Sequence, residues 1–336
     1  MIARAFHGWE RRLASSATDR VVRPFDWGLE WIDPLVGPVA HPAAWLENWA
    51  AGVAADSSAF YDVLPADDFL LAGTQLTFSS AITTPHAENN TVCARFFPEP
   101  SPFGRRRAVL VLPQWNADAG GHVGLCRLLN QFRLSALRLT LPYHEERRPA
   151  ELTRADFIVS ANIGRTAQVC RQAVLDARRA IAWLAQQGYE SIGILGTSLG
   201  SCLSMLTAAH EPLVRAAALN HISPYFADVV WRGLSTTHVR QSLEGQVDLE
   251  QLRRIWMPIS PFPYLERMRG RRVLLVYARY DLTFPVALSR LLVDEFRRRG
   301  IDHRLLVLPC GHYSTGVTPF KWMDGLALCR FLGREL

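Results

Sequence analysis

The sequence predicts an α/β protein built on a mostly parallel sheet, and three observations carry that expectation. Short apolar runs alternate with longer segments of helical spacing from about residue 75 onward. Strands that alternate with helices pair in parallel, joined by right-handed crossovers. With 336 residues, 49% of them hydrophobic, the chain can bury one large core plus an appendage. The third observation is Gly196-Thr197-Ser198-Leu199-Gly200, which follows an apolar run at 192–195 and leads into a helical pattern at 203–210.

Residues 1–70 stand outside the alternation and are expected to form a Trp-rich helical extension. They hold five of the ten tryptophans, and Trp27/Trp31 and Trp45/Trp49 are each four apart, so on helices each pair would share a face. Asp33-Pro34 and Gly37-Pro38 break these helices into short pieces. Tryptophan at this density suits an interfacial membrane anchor. Acidic Glu30, Asp33 and Glu47 interrupt the apolar faces, however, which favours packing on the core or on a partner.

Residues 71–336 are the expected core. Segments 75–82 and 91–97 read as an opening strand pair around Asn89-Asn90, and 108–112 as the third strand. A helix at 123–132, a fourth strand at 136–141 and a longer helix at 166–187, ending at Gly188, come next. The fifth strand is 192–195 and the sixth 214–219. An aromatic-rich stretch of about 50 residues, 222–269, then intervenes where a lid insertion is expected. Strands at 272–278 and 303–308, with a helix at 287–299 between them, complete the pattern.

The serine turn carries the chemistry. A serine lifted above the sheet needs a strained backbone with no side chains crowding it, hence glycine two before and two after. The next helix points its N-terminal N–H groups at an oxygen that becomes negative in acyl transfer. Asp281 follows the seventh strand and His312 the eighth, giving the order Ser198, Asp281, His312. In that reading His312 takes the Ser198 proton and Asp281 holds the imidazole tautomer. Taken singly, Asp281 also reads as a helix cap and His312 as a turn histidine; Asp228 and Asp248 are rival acids. Oxyanion donors are expected from the backbone N–H of Leu199 and of Trp115, with Gln114 as the alternative. Gln114, His122, His221, Tyr225 and Trp231 are the expected pocket residues. Cys310, two residues from His312, reads as structural. A serine at this turn implies an acyl intermediate, so the scissile bond is an ester, thioester or amide.

On Gly196-Thr197-Ser198-Leu199-Gly200, Asp281 in Tyr280-Asp281-Leu282 and His312 in Gly311-His312-Tyr313, the chain resembles the α/β-hydrolases over roughly residues 72–336. The resemblance implies an eight-stranded, mostly parallel sheet with helices on both faces. Many members carry His-Gly after the third strand, where this chain has Pro113-Gln114. Leu141-Pro142-Tyr143-His144 with Arg148-Pro149 is similar to the α/β-hydrolase domain-containing protein 18 branch, whose substrate does not transfer.

Composition narrows the partners. Net charge is +6 with Lys321 the sole lysine, and the arginines are dispersed apart from Arg105-Arg106-Arg107 and Arg297-Arg298-Arg299, which disfavours nucleic-acid binding. Six cysteines show no disulfide framework, and neither H-E-x-x-H nor paired C-x-x-C occurs, so no metal or cofactor is expected. The start of the chain lacks an apolar signal region, and no run reaches the ~18 apolar residues of a membrane span, so a cytoplasmic protein is expected. The expected activity is hydrolysis of a small-molecule or lipid-like carboxylic ester through acyl-Ser198. Amidase, thioesterase and acyltransferase chemistry would use the same triad, and a catalytically silent binding scaffold is the reading from another class.

Overall fold

Among the described residues, 2–100 and 106–336 of a computed structural model, nine strands pair into one sheet. They are β1 (Leu70–Ala72), β2 (Gln75–Ser79), β3 (Thr91–Phe97), β4 (Arg107–Leu112), β5 (Ser135–Leu139), β6 (Ser191–Thr197), β7 (Val214–Asn220), β8 (Arg272–Ala278) and β9 (Arg304–Leu308). Their order is β1-β2-β3-β5-β4-β6-β7-β8-β9. The last six in that order run parallel, and the first three pair antiparallel. Eight strands match the expected eight. The ninth is β1, a three-residue edge strand that pairs with β2 across Gly73-Thr74. All three of its residues are exposed, so it left no burial signal in the sequence.

The central strands are apolar on both sides because helices cover both faces. Along β4, Ala108, Leu110 and Leu112 face one core while Val109 and Val111 face the other, and all five are fully buried. The helices are α1 (Ile2–Ala14), α2 (Leu29–Ile32), α3 (Pro42–Ala55), α4 (Ser57–Phe60), α5 (Val123–Gln131), α6 (Ile163–Gln186), α7 (Leu199–His210), α8 (Phe226–Arg232), α9 (Thr237–Leu243), α10 (Leu249–Ile255), α11 (Val286–Arg298) and α12 (Phe320–Glu335). Helices α6, α7 and α11 fill the larger core, and α5 and α12 the smaller one through Cys126, Leu129, Leu328 and Leu332. The long α6 starts at a capped end: the Asn162 side chain accepts the Arg165 N–H at 2.8 Å.

Residues 2–70 lie on this core. Trp45 and Trp49 share α3 as expected and pack against the larger core, while Trp27 precedes α2 and meets Phe25 edge-on at 5.0 Å. Backbone meets backbone nearby: a Cβ on Gly164 would lie 1.9 Å from the Gly28 carbonyl oxygen. Glu47 of α3 pairs with Arg254 of α10 at 3.0 Å, tying this segment to residues 222–269. Of the basic run Arg105-Arg106-Arg107, Arg105 lies outside the described residues. No helix among the described residues is long and apolar enough to cross a membrane.

Candidate active site

Ser198 occupies the turn between β6 and α7 with φ 57° and ψ −120°, a conformation costly for a residue with a side chain. Its N–H donates to the Asn220 carbonyl at 2.8 Å, which fixes the turn to the end of β7. The flanking glycines are required by contact. A Cβ on Gly196 would sit 2.1 Å from the Gly200 oxygen, and one on Gly200 would sit 2.2 Å from the Leu112 oxygen. The second contact brings the loop after β4 directly against the serine turn.

Asp281 and His312 arrive from the ends of β8 and β9. Ser198 Oγ lies 3.1 Å from His312 Nε2, and His312 Nδ1 lies 3.0 Å from Asp281 Oδ2. The ring of Phe284 stacks on the imidazole at 5.4 Å, almost parallel. Asp281 does not cap α11, whose cap position is Pro285. Its Oδ1 instead accepts the N–H groups of Thr283 at 2.8 Å and Phe284 at 2.7 Å. Its Oδ2 accepts from a second imidazole, His221 Nδ1, also at 3.0 Å. Burial alone would raise this carboxyl, but the two imidazoles outweigh it and hold Asp281 well below the usual carboxylate range. With Nδ1–H donated to Asp281, Nε2 of His312 turns a lone pair toward the serine hydroxyl.

The loop after β4 is held by polar contacts. Asn116, at φ 59°, donates its N–H to His144 Nε2 at 2.9 Å and accepts the Ala155 N–H on Oδ1 at 2.8 Å. His144 Nδ1 donates to the Pro142 carbonyl at 2.9 Å, leaving Nε2 as the acceptor the loop needs. Burial lowers His144 to about 4, so the acceptor persists at neutral pH. Trp115 is fixed through its side chain, Nε1 donating to the Ala155 carbonyl at 2.8 Å. As the first residue of α7, Leu199 has an N–H without an intrahelical acceptor.

Ser198 and His312 open into a cavity of about 1280 Å³. Gln114, Trp115, His122, Leu199 and His221 line it. Tyr225 and Trp231 do not. Tyr225 stacks on Phe262 at 4.8 Å, and Trp231 lies under Arg240 on the side of α8 away from Phe226, Val229 and Val230, which face the cavity. The rival acids are committed elsewhere: Asp228 to Arg253 at 2.8 Å, and Asp248 to the Gln251 N–H at the start of α10. Cys310 is a buried thiol, raised to about 11 by burial. The metal-capable group among the described residues is His221, Asp281 and His312, whose ligand atoms lie within 4.8 Å of one another and are already joined by hydrogen bonds.

No protein-family model and no curated protein sequence matches the chain. Solved structures do. The acylaminoacyl peptidase of Pyrococcus horikoshii is similar with a TM-score of 0.60 and 13% identity over 80% of this chain, which spans 42% of that protein's length. Acetyl xylan esterase 1 of a Thermoanaerobacterium species gives 0.59 and 14%, covering 89% of this chain and 95% of its own. An esterase of Pyrobaculum calidifontis gives 0.50 and 15%, covering 93% and 99%. The chain has the α/β-hydrolase fold.

Three side chains at this site had little or no signal in the sequence. His144 was visible only as part of a family-like tetrapeptide. Glu10 of α1 is fully buried and accepts the N–H groups of Tyr313 at 2.8 Å and Ser314 at 2.9 Å, directly after His312. Arg20 lines the cavity and donates to the Tyr313 hydroxyl at 3.0 Å. Nothing in the local pattern of residues 1–20 signals contact with a loop some 300 residues away.

Proposed function

We propose that the chain is a serine hydrolase that cleaves carboxylic esters through an acyl-Ser198 intermediate. The observation that carries this reading is the continuous line Asp281 Oδ2, His312 Nδ1, His312 Nε2, Ser198 Oγ, with steps of 3.0 and 3.1 Å at the floor of the cavity. His312 takes the Ser198 proton as Oγ attacks the ester carbonyl, and returns it to the departing alcohol. Asp281 holds the tautomer and stabilises the imidazolium. The Leu199 N–H and the N–H of Trp115, or of Gln114 beside it, stabilise the oxyanion; one such donor contributes ~2.7–4 kcal/mol. Water then attacks the acyl-enzyme by the reverse use of the same groups. Residues 222–269 act as the lid, walling the cavity with Phe226, Val229 and Val230 of α8. The esterases and the peptidase of similar fold support hydrolysis in general.

The test is a fluorophosphonate label read by intact mass, alongside a panel of 4-nitrophenyl esters. Wild type takes one adduct and turns over esters, whereas Ser198→Ala takes none and loses ~10⁴-fold or more in kcat. A folded wild type that neither labels nor hydrolyses any ester would leave a closed lid or the binding-scaffold reading, and a lid-deleted variant that still fails to label leaves only the second.

A further inference from the structure

Five charged side chains line the cavity: Asp19, Arg20, Arg154, Lys321 and Asp324. Both anions are engaged, Asp19 with Arg154 at 2.7 Å and Asp324 with the Asn220 amide at 2.7 Å. Arg154 is further balanced by Asp156 at 3.6 Å, and Arg23 shares that aspartate at 2.9 Å. Lys321 is exposed, 5.8 Å over the Trp322 ring, and like Arg20 has no carboxylate within 4.0 Å among the described residues; Arg20 differs in being part-buried. Its Nη2 donates to two neutral oxygens, the Ala14 carbonyl at 3.1 Å and the Tyr313 hydroxyl at 3.0 Å. Among the described residues no carboxylate lies within 4.0 Å of its guanidinium. Nη1 makes no hydrogen bond, and Nε is buried without a partner.

The head of Arg20 is nonetheless held in place. A phenol that accepts from Arg20 donates onward, and Tyr313 has Ser235 Oγ at 2.7 Å, which in turn has Thr283 Oγ1 at 2.9 Å. Tyr313 is the residue after His312, so this chain of hydroxyls anchors a cation whose nearest opposite charge, Asp19, acts on it only at a distance and is bonded to Arg154. His122, which also lines the cavity, is lowered to about 4 by burial and adds no charge there at neutral pH. A part-buried guanidinium whose Nη1 donors are unspent attracts an anionic oxygen, as a carboxylate supplies. A bound carboxylate would give this guanidinium the direct anionic partner it lacks.

We propose that this site takes esters bearing a carboxylate and that Arg20 binds it. The inference rests on the ester-hydrolase reading and names the substrate class of the same site. The charge is tested on either side of the scissile bond with two matched pairs: 4-nitrophenyl hemisuccinate against its methyl ester, and 3-acetoxybenzoate against methyl 3-acetoxybenzoate. Wild type favours the carboxylate member of at least one pair by about tenfold or more in kcat/KM, mainly through KM. Arg20→Gln brings that ratio close to one, and Arg20→Lys, which keeps the charge, restores part of it. Equal loss on charged and neutral esters in Arg20→Gln would mark a purely structural arginine and overturn the proposal. So would a wild type that turns over the methyl esters with no preference for the acids in either pair. Failure to hydrolyse all four esters, with Ser198 unlabelled, would take down the ester-hydrolase reading as well.

Discussion

Asp281 accepts four hydrogen bonds, two from backbone amides and two from imidazoles, and so stays ionised while His312 changes charge. That arrangement was half legible in the sequence. Ser198, Asp281 and His312 stand just past the ends of β6, β8 and β9, where residue type and chain order together restrict the chemistry. The bond of His221 to Asp281 and that of His144 to the Asn116 N–H join residues far apart in the chain, so those two roles leave no local pattern. His144 nevertheless has a testable part. Its Nε2 is the acceptor for the Asn116 N–H, and the 113–117 loop carries the candidate oxyanion donors. His144→Phe leaves that part-buried N–H without its acceptor and frees the loop to drift from the serine turn. The expected result is a kcat about tenfold lower with a smaller change in KM, and slower fluorophosphonate labelling in proportion. Unchanged kcat in a folded His144→Phe protein would remove the loop-holding role.

At the scale of elements, the alternating strands and helices were readable because parallel strands buried on both faces are continuous apolar runs. Element β1 and the placement of α1 were not. Helix α1 touches both loops of the site: Phe6 stacks on Tyr280 at 4.5 Å, just before Asp281, and Glu10 holds the amides after His312. Apolar spacing reports that a helix has a face to bury, and says nothing about what the face meets. Gly311 shows how close the fit is, since a Cβ there would come within 2.3 Å of the Glu10 carboxyl carbon. Glu10→Ala therefore removes two charge-assisted bonds from the His312 loop while the sheet stays intact. We expect kcat to fall by ten- to a hundredfold, with far-ultraviolet circular dichroism unchanged, and Glu10→Gln to retain part of the loss because one carbonyl oxygen remains. Equal activity in Glu10→Ala would show that α1 only packs beside the loop.

For the whole molecule, the buried histidines set how folding responds to acid. His122, His144, His210 and His238 are each lowered from 6.5 to about 4, burial being the first cause in every case. Between those values the unfolded chain binds these protons and the folded chain does not, so stability is full above about pH 6.5 and is lost as pH falls toward 4. Asp324 works the other way. Burial raises it from 3.8 to about 6, so in the same window the folded chain holds a proton that the unfolded chain has released. Its contribution grows as pH falls. Each proton of imbalance is worth ~1.4 kcal/mol per pH unit, and four histidines outweigh one aspartate. The urea midpoint should therefore fall steadily from pH 7 through 5.5 to 4.5. Asp324→Asn can still accept from Asn220 but no longer titrates, so its midpoint should fall more steeply than that of wild type over the same interval. A wild-type midpoint that holds level to pH 4.5 would mean that these imidazoles are not kept neutral by the fold. A variant slope equal to the wild type's would mean that Asp324 is already ionised well below pH 6.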